Sequence, residues 1–208
     1  MARIVSDLII AAADTTSISA QWLLHFLAQH PEEQDKILAD LRGEDAAGRR
    51  LRWCLKESMR LYPVAPFLTR ILPNAIELGP HMIPAGQVTV ISLYAMGRDS
   101  KYFEDPDRFW PERWERQMAK ARSYGIDDEQ CPVSRNPSAG AFASLPFGFG
   151  HRACIGRRLA EDQLTSLAKQ LITRFEMKSL NHRPLEMIMR MTGHPSQEIQ
   201  IGLQKRDS

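Results

Sequence analysis

Apolar and small residues recur at helical spacing from Ile4 to Leu27, with Ile4, Leu8, Ala11, Ala12, Thr15, Ile18, Trp22, Leu23 and Phe26 in phase. That period commits the start of the chain to one long helix, which ends before Pro31 because a proline disfavours the α conformation in the residue ahead of it. Pro31 at a first-turn position, with Glu32 and Glu33 beside the positive helix end, opens a second helix that Gly43 stops. A third helix runs from about Leu51 to Leu61. Pro63, Pro66 and Pro73 then break the pattern, and Ala75–Leu78, Met82–Ile83 and Val88–Leu93, punctuated by Gly79, Pro80, Pro84 and Gly86, read as short strands. From Asp99 to Pro146 the chain reads as a long irregular connection after a short helix. A final helix begins near Cys154, with Leu159, Leu164, Leu167, Leu171, Ile172 and Phe175 on one face. The tail from Asn181 to Ser208 reads as weak strands joined by a turn at Gly193–Pro195. The fold class expected is mainly α with a small β-sheet, in one domain.

Composition supports a globular core and excludes several classes. Hydrophobic residues make up 43% of the 208 and charged residues 25%, enough to bury a core. The formal charge of +2, from 27 basic and 25 acidic side chains, gives no footprint for nucleic acid. The apolar run Leu8 to Ala13 is far short of the roughly 20 residues that cross a bilayer. Neither a secretory signal core nor an Arg- and Ser-rich transit peptide follows Met1. Cys54, Cys131 and Cys154 are odd in number with no short paired spacing, which argues against a disulfide scaffold and fits a reducing compartment. Among His81, His151, His182 and His194, the pair His151-x-x-Cys154 has a conceivable zinc spacing, but no second close pair supports it. Asn136-Pro137-Ser138 is no glycosylation acceptor, because proline fills the middle position.

The stretch Phe147-Gly148-Phe149-Gly150-His151-Arg152-Ala153-Cys154-Ile155-Gly156 puts glycines, an arginine and one cysteine just ahead of an amphipathic helix. A thiolate is favoured by the positive end of a helix and by nearby cations, and glycines let the backbone approach a ligand. For a lone cysteine the alternative is a small buried hydrophobe. Phe147, Gly150, Arg152, Cys154 and Gly156 resemble the haem-binding loop of the cytochrome P450 family, the haem-thiolate monooxygenases. The resemblance implies haem b, iron protoporphyrin IX, as cofactor and Cys154 as the thiolate ligand of its iron, donating electron density that favours O–O cleavage. Arg70 and Arg152 match positions whose guanidinium groups hold the haem propionates; the alternative for each is a surface cation.

Two further motifs carry the resemblance. Glu57 and Arg60 lie three apart on one helix face, where ion pairs form. In the family this Glu-x-x-Arg joins an arginine from a later segment, here Arg113 of Pro111-Glu112-Arg113-Trp114, in a buried charge triad. Ala11-Ala12-Ala13-Asp14-Thr15-Thr16 is similar to the oxygen-binding segment of the central helix. There a local kink is expected to free Thr15 and Asp14 as the general acid–base pair that delivers protons during oxygen activation. Taken alone, an Asp-Thr in a helix is more simply a solvated face. Ala12 stands where the family usually has glycine. Val64–Leu68 and Arg190–Gly193 would line the substrate pocket.

The resemblance covers nearly the whole chain and corresponds to the C-terminal part of the cytochrome P450 fold, a partial domain over residues 1–208 from the central long helix to the C-terminus. It implies that the N-terminal half is absent, that the chain is a fragment or truncated isoform, and that Gly43–Arg50 is shorter than the family's connection. Leu51 to Glu57, Tyr94 to Arg98 and Phe109 to Trp114 are similar to the steroid- and vitamin-D-hydroxylating mitochondrial members. That likeness implies insertion of one oxygen atom from dioxygen into a hydrophobic, steroid-like substrate, with electrons from a ferredoxin docked at Arg52 and Lys56, on the matrix side of the mitochondrial inner membrane. Any membrane association would go through the missing N-terminal part. The alternatives are a microsomal member of the endoplasmic reticulum served by a flavoprotein reductase, or a non-catalytic chain that binds haem or a partner.

Overall fold

The computed structural model describes residues 2–43, 48–116 and 142–206; Cys131 and much of the Asp99–Pro146 connection lie outside the described residues. Three helices open the chain, α1 (Ala2–Gln29), α2 (Pro31–Arg42) and α3 (Arg49–Leu61). Strands β1 (Phe67–Ile71), β2 (Ile76–Leu78), β3 (His81–Ile83) and β4 (Val88–Ser92) follow, then the short α4 (Leu93–Met96) and a helical turn over 112–116. A 3-10 turn, Gly150–Arg152, precedes α5 (Arg157–Arg174), and β5 (Phe175–Ser179), β6 (Met187–Met189), β7 (Gly193–Pro195) and β8 (Ile201–Lys205) complete the order. The strands form small antiparallel ladders, β1 with β4, β2 with β3, β5 with β8 and β6 with β7. The architecture is mainly α with small sheets.

The core lies where the C-terminal half of α1 meets α2, α3, α5 and β5. Leu23, Leu27, Ile37, Leu51, Leu55, Leu164, Ala168, Ile172 and Met177 are buried together there. Ile18 and Trp22 of α1 pack instead with Leu185, under Tyr62 and Val64. By contrast Ile4, Val5, Leu8, Ile9 and Ile10, in the first half of α1, are each at least 50% exposed. Among the described residues no helix is long and apolar enough to cross a membrane.

Four features differ from the expectations. Phe67–Ile71 is a strand, paired in register with β4. Phe175 leaves the helix and begins β5. The core stripe of α5 is Leu164, Ala168 and Ile172, whereas Leu159 and Leu167 are exposed at 62% and 42%, so the apolar residues of this helix do not form one buried face. Gly193–Pro195 is a strand and the turn sits just before it, closed by Arg190 N–H donating to Thr192 O at 3.1 Å. Gly193 is required for closeness, since a Cβ there would lie 2.8 Å from Pro63 O.

Gln34 is a buried clamp between three elements. Its Nε2 donates to Leu27 O at 2.7 Å and to Met177 O at 2.8 Å, while its Oε1 accepts from Met177 N–H at 2.9 Å. The chemistry of Pro31 explains the first bond: the residue four after Leu27 has no N–H to give, so the amide side chain supplies a donor. On β5 the side chain serves as a piece of neighbouring strand. Gln34→Ala would leave these buried backbone groups short of partners and should cost about 2–4 kcal/mol. A urea unfolding curve shifted by less than about 0.5 kcal/mol would show the clamp to be dispensable.

Candidate functional site

The loop before α5 is built on glycines in the left-handed region, with φ 71° at Gly148 and 73° at Gly150, a conformation that costs an L side chain but not glycine. Cys154 N–H donates to Phe147 O at 2.8 Å, closing the loop, and Ala153 N–H donates to Gly150 O at 3.0 Å. Gly156 caps α5, so Cys154 stands three residues ahead of Arg157, the first helical residue. Its sulfur is exposed and unbridged. Beside it in sequence Ile155 is 91% exposed, Phe149 and Leu159 are also open, and His151 and Arg152 are exposed. An open sulfur near a helix N-terminus, amid cations and uncovered apolar side chains, suits a flat, largely apolar ligand that takes a thiolate.

Cys54 has the opposite environment. It is fully buried, and its thiol is pushed well above the ordinary range, first by burial and then by the Glu33 carboxylate, whose Oε2 is 4.0 Å from the sulfur. Such a thiol stays protonated.

On α1, Thr15 Oγ1 donates to Ala11 O at 2.6 Å, and Ser19 Oγ donates to Thr15 O at 2.8 Å. The helix runs unbroken through Ala11–Thr16, so the expected kink takes no form of helix interruption; the threonine hydroxyl instead shares the carbonyl one turn back. Asp14 is exposed, its carbonyl accepting from Ser17 Oγ at 2.9 Å. An open cleft of about 500 Å³ separates α1 from α5, with Ala12, Ala13 and Thr16 on one wall and Gln163, Leu164 and Leu167 on the other. Neither Asp14, Thr15 nor Cys154 lines it.

The structure brings Glu57, Arg60 and Arg113 into one buried cluster, their side chains 0%, 0% and 6% exposed. Glu57 Oε1 accepts from Arg60 Nη2 at 2.8 Å, Arg113 Nε at 2.9 Å and Trp110 N–H at 2.9 Å; Oε2 accepts from Arg60 Nε at 2.9 Å and Trp114 Nε1 at 3.0 Å. The remaining guanidinium protons go to backbone carbonyls, Arg60 to Gly97, Pro106 and Arg108, and Arg113 to Glu104 and Asp105. Gly97 packs directly on α3, where a Cβ would lie 2.6 Å from Arg60 O. Next to this cluster, Lys36 and Arg50 both bridge Glu33 and Glu112 at 2.6–3.0 Å. Burial acts to raise the Glu112 carboxyl, but hydrogen bonds from Lys36 and Arg50 outweigh it and bring it down to about 2.

Of the other expected residues, Arg70 is exposed on β1 with Nη1 donating to Thr69 O at 2.8 Å, and Arg152 is exposed on the 3-10 turn. Arg52 is exposed and Lys56 half-buried on the outer side of α3. Val64–Leu68 and Arg190–Gly193 meet at one bond, Gly193 N–H to Val64 O at 2.9 Å, above Trp22, whose Nε1 donates to Gly193 O at 3.0 Å. Among the described residues no cluster of three or more His, Cys, Asp or Glu is placed to hold a metal ion, and His194 Nε2 pairs with Thr192 Oγ1 at 2.7 Å. Sequence reasoning missed the roles of Trp110 and Trp114 as donors to Glu57, and of Gly97 as an acceptor packed against Arg60. Trp114 was visible in the Pro-Glu-Arg-Trp segment, but nothing in the spacing marks an indole as a carboxylate partner.

Comparison with known proteins bears on the whole chain. The model of the family described as Cytochrome P450 matches residues 1–203. The mitochondrial cytochrome P450 315a1 of Drosophila melanogaster is 39% identical over 204 residues, covering 98% of this chain and 36% of that protein. The mitochondrial 1,25-dihydroxyvitamin D(3) 24-hydroxylase of Mus musculus is 36% identical over 208 residues, 95% of this chain and 37% of its own. The mitochondrial sterol 26-hydroxylase of Oryctolagus cuniculus is 36% identical over 183 residues, 82% of this chain and 32% of its own. The chain thus spans about a third of the length of the curated relatives it matches.

Proposed function

This chain belongs to the cytochrome P450 family, whose cofactor is haem, and from that premise we propose that it forms the thiolate-bearing part of a monooxygenase acting on a hydrophobic, steroid-like substrate. The observation that carries the reading is the contrast between an exposed Cys154 sulfur on a glycine loop and a Cys54 thiol sealed in the core. The residues present fit haem: the sulfur is open, Phe149, Ile155 and Leu159 beside it are uncovered, and Arg152 is free to swing toward a propionate. Haem b held there by Cys154 would supply reductive activation of dioxygen, in which two electrons and two protons would send one oxygen atom to the substrate and the other to water.

The chain's own residues position and protonate. Gly148, Gly150 and the Cys154-to-Phe147 bond hold the sulfur just ahead of α5, and the exposed Arg70 and Arg152 would supply cations for the propionates. Ala11 and Thr15 share one side of α1, where the Thr15 hydroxyl donates to Ala11 O; in this reading that hydroxyl would turn to hold a proton that the exposed Asp14 would exchange with solvent. The Val64–Gly193 junction would close one side of the substrate pocket. The relatives are named as mitochondrial, which supports a mitochondrial location; the matrix side of the inner membrane and an acidic ferredoxin as electron donor, docked at Arg52 and Lys56, complete the proposal.

Reconstitution tests the reading. The holoprotein given a ferredoxin, its reductase and NADPH should oxygenate a steroid-like substrate, and Thr15→Ala should lower product per NADPH by on the order of tenfold while peroxide accumulates. Turnover supported by a microsomal flavoprotein reductase alone would refute the electron-donor assignment. Unchanged coupling in both Thr15→Ala and Asp14→Asn would remove α1 from proton delivery.

A further inference from the structure

Trp22 ties the helix that carries Thr15 to the β6–β7 hairpin. It follows Thr15 by two turns on the unbroken α1, on the same helix face and about 10 Å further along the axis. Its side chain is fully buried, packed with Ile18 and Leu185. The indole stacks on Tyr62, ring centroids 4.0 Å apart, and the Tyr62 hydroxyl donates to Leu185 O at 3.3 Å, on the segment leading into β6. Held flat in this way, the indole Nε1–H donates to Gly193 O at 3.0 Å.

That oxygen has no partner within its own ladder. Arg190 N–H donates to Thr192 O across the turn, which sets Gly193 opposite Met189 at a position where N–H and C=O both face away from β6. The Gly193 N–H goes to Val64 O at 2.9 Å and its C=O to Trp22, so this buried residue is held by the chain after α3 on one side and by α1 on the other. Pro63 and Met187 leave no room for a Cβ there, so the junction has little slack. We infer that Trp22 is a positioning residue that sets where on the substrate oxygen is inserted, by fixing the height of the Arg190–Thr192 turn above Thr15 through its bond to Gly193 O. The inference rests on the monooxygenase reading above, with that turn at the wall of the substrate pocket. An indole has only two side-chain torsions, and the stack and the hydrogen bond constrain both. Rates at a reacting carbon fall steeply with misplacement on the scale of about 1 Å, so a turn that rides higher or lower changes which carbon is oxidised.

The test joins a readout that needs no substrate to one that does. Trp22→Phe keeps a ring on Tyr62 but leaves Gly193 O buried without a donor, and the Gly193 amide should then exchange its hydrogen about tenfold faster. With the haem-loaded protein, a ferredoxin, its reductase and NADPH, and cholesterol, progesterone and cholecalciferol as probes, the ratio of hydroxylation positions should shift by on the order of fivefold. Met177→Ala, which truncates the other core cluster, is the control for lost stability and should keep the ratio within about twofold of the parent. Tyr62→Leu removes the ring that holds the indole flat and should give a milder shift of the same kind, which keeps the test open where Trp22→Phe takes up no haem. Parent-like exchange at Gly193 in Trp22→Phe would overturn the inference, as would equal shifts in Trp22→Phe and Met177→Ala. Faster exchange with a parent-like product ratio would reduce the bond to a fold contact, overturning the inference and leaving the monooxygenase reading intact. A parent that oxygenates none of the three probes would overturn the steroid-like reading and the inference together.

Discussion

Cys154→Ala should abolish the red-shifted carbon monoxide band of the reduced, haem-loaded protein, while Cys54→Ala and Cys131→Ala keep it. The argument is one of access and charge. Cys54 lies among Leu51, Leu55 and the helices around them, fully enclosed, with the Glu33 carboxylate opposing its ionisation. Delivering it to an iron would mean opening the core. Cys154 needs no rearrangement, because its loop already presents the sulfur outward and its N–H is satisfied by Phe147 O. Cys131 lies outside the described residues, and its sequence neighbours, Gln130 and Pro132, include none of the glycines that flank Cys154. Cys54→Ala should instead lower the melting temperature, since it opens space between packed helices. Haem content measured in parallel separates loss of ligation from loss of fold. A Cys154→Ala protein that holds haem and still shows the band would overturn the assignment.

How far the structure is legible in the residues depends on the range of the interaction that decides each element. Helices α1 to α3 follow from local signals, the 3.6-residue period and the punctuation by Pro31 and Gly43. Strand β1 does not, because Phe67 to Ile71 is defined by pairing with Val88 to Ser92, and nothing local forces that pairing. Phe175 continues the phase of Leu171 and Ile172, so periodicity alone carries the helix past its end; the ladder with Lys205, thirty residues on, converts it to strand. Leu159 and Leu167 have core-like chemistry but lie off the stripe Leu164, Ala168 and Ile172. At the site, Gly148 and Gly150 were legible because positive φ demands glycine, and Glu57 with Arg60 because helical spacing brings them together. The indole of Trp114 and the N–H of Trp110 were not, since they reach Glu57 only after the chain has crossed back over α3.

That return of the chain makes Glu57 the most expensive side chain to neutralise. Its two oxygens accept five hydrogen bonds, and two of the donors are guanidinium groups whose side chains are 0% and 6% exposed. Glu57→Gln keeps the shape but turns an NH₂ group toward donors and leaves two buried positive charges without a counter-charge. Breaking a buried pair in this way typically costs about 3–5 kcal/mol, a large share of the roughly 5–15 kcal/mol that holds a domain together. The penalty falls on geometry too, because Arg60 and Arg113 also pin Gly97, Glu104, Asp105, Pro106 and Arg108 through their carbonyls. The expected outcome is a protein that unfolds at much lower urea and takes up little haem. Arg113→Lys gives a gentler probe if Glu57→Gln does not fold, since it keeps the charge but loses the guanidinium fork, and it should cost about 1.5–3 kcal/mol. The two variants should lie in that order. Both unfolding within about 1 kcal/mol of the parent would mean that the cluster is a bystander to stability and that the segment carrying Trp110 and Trp114 is held by packing alone.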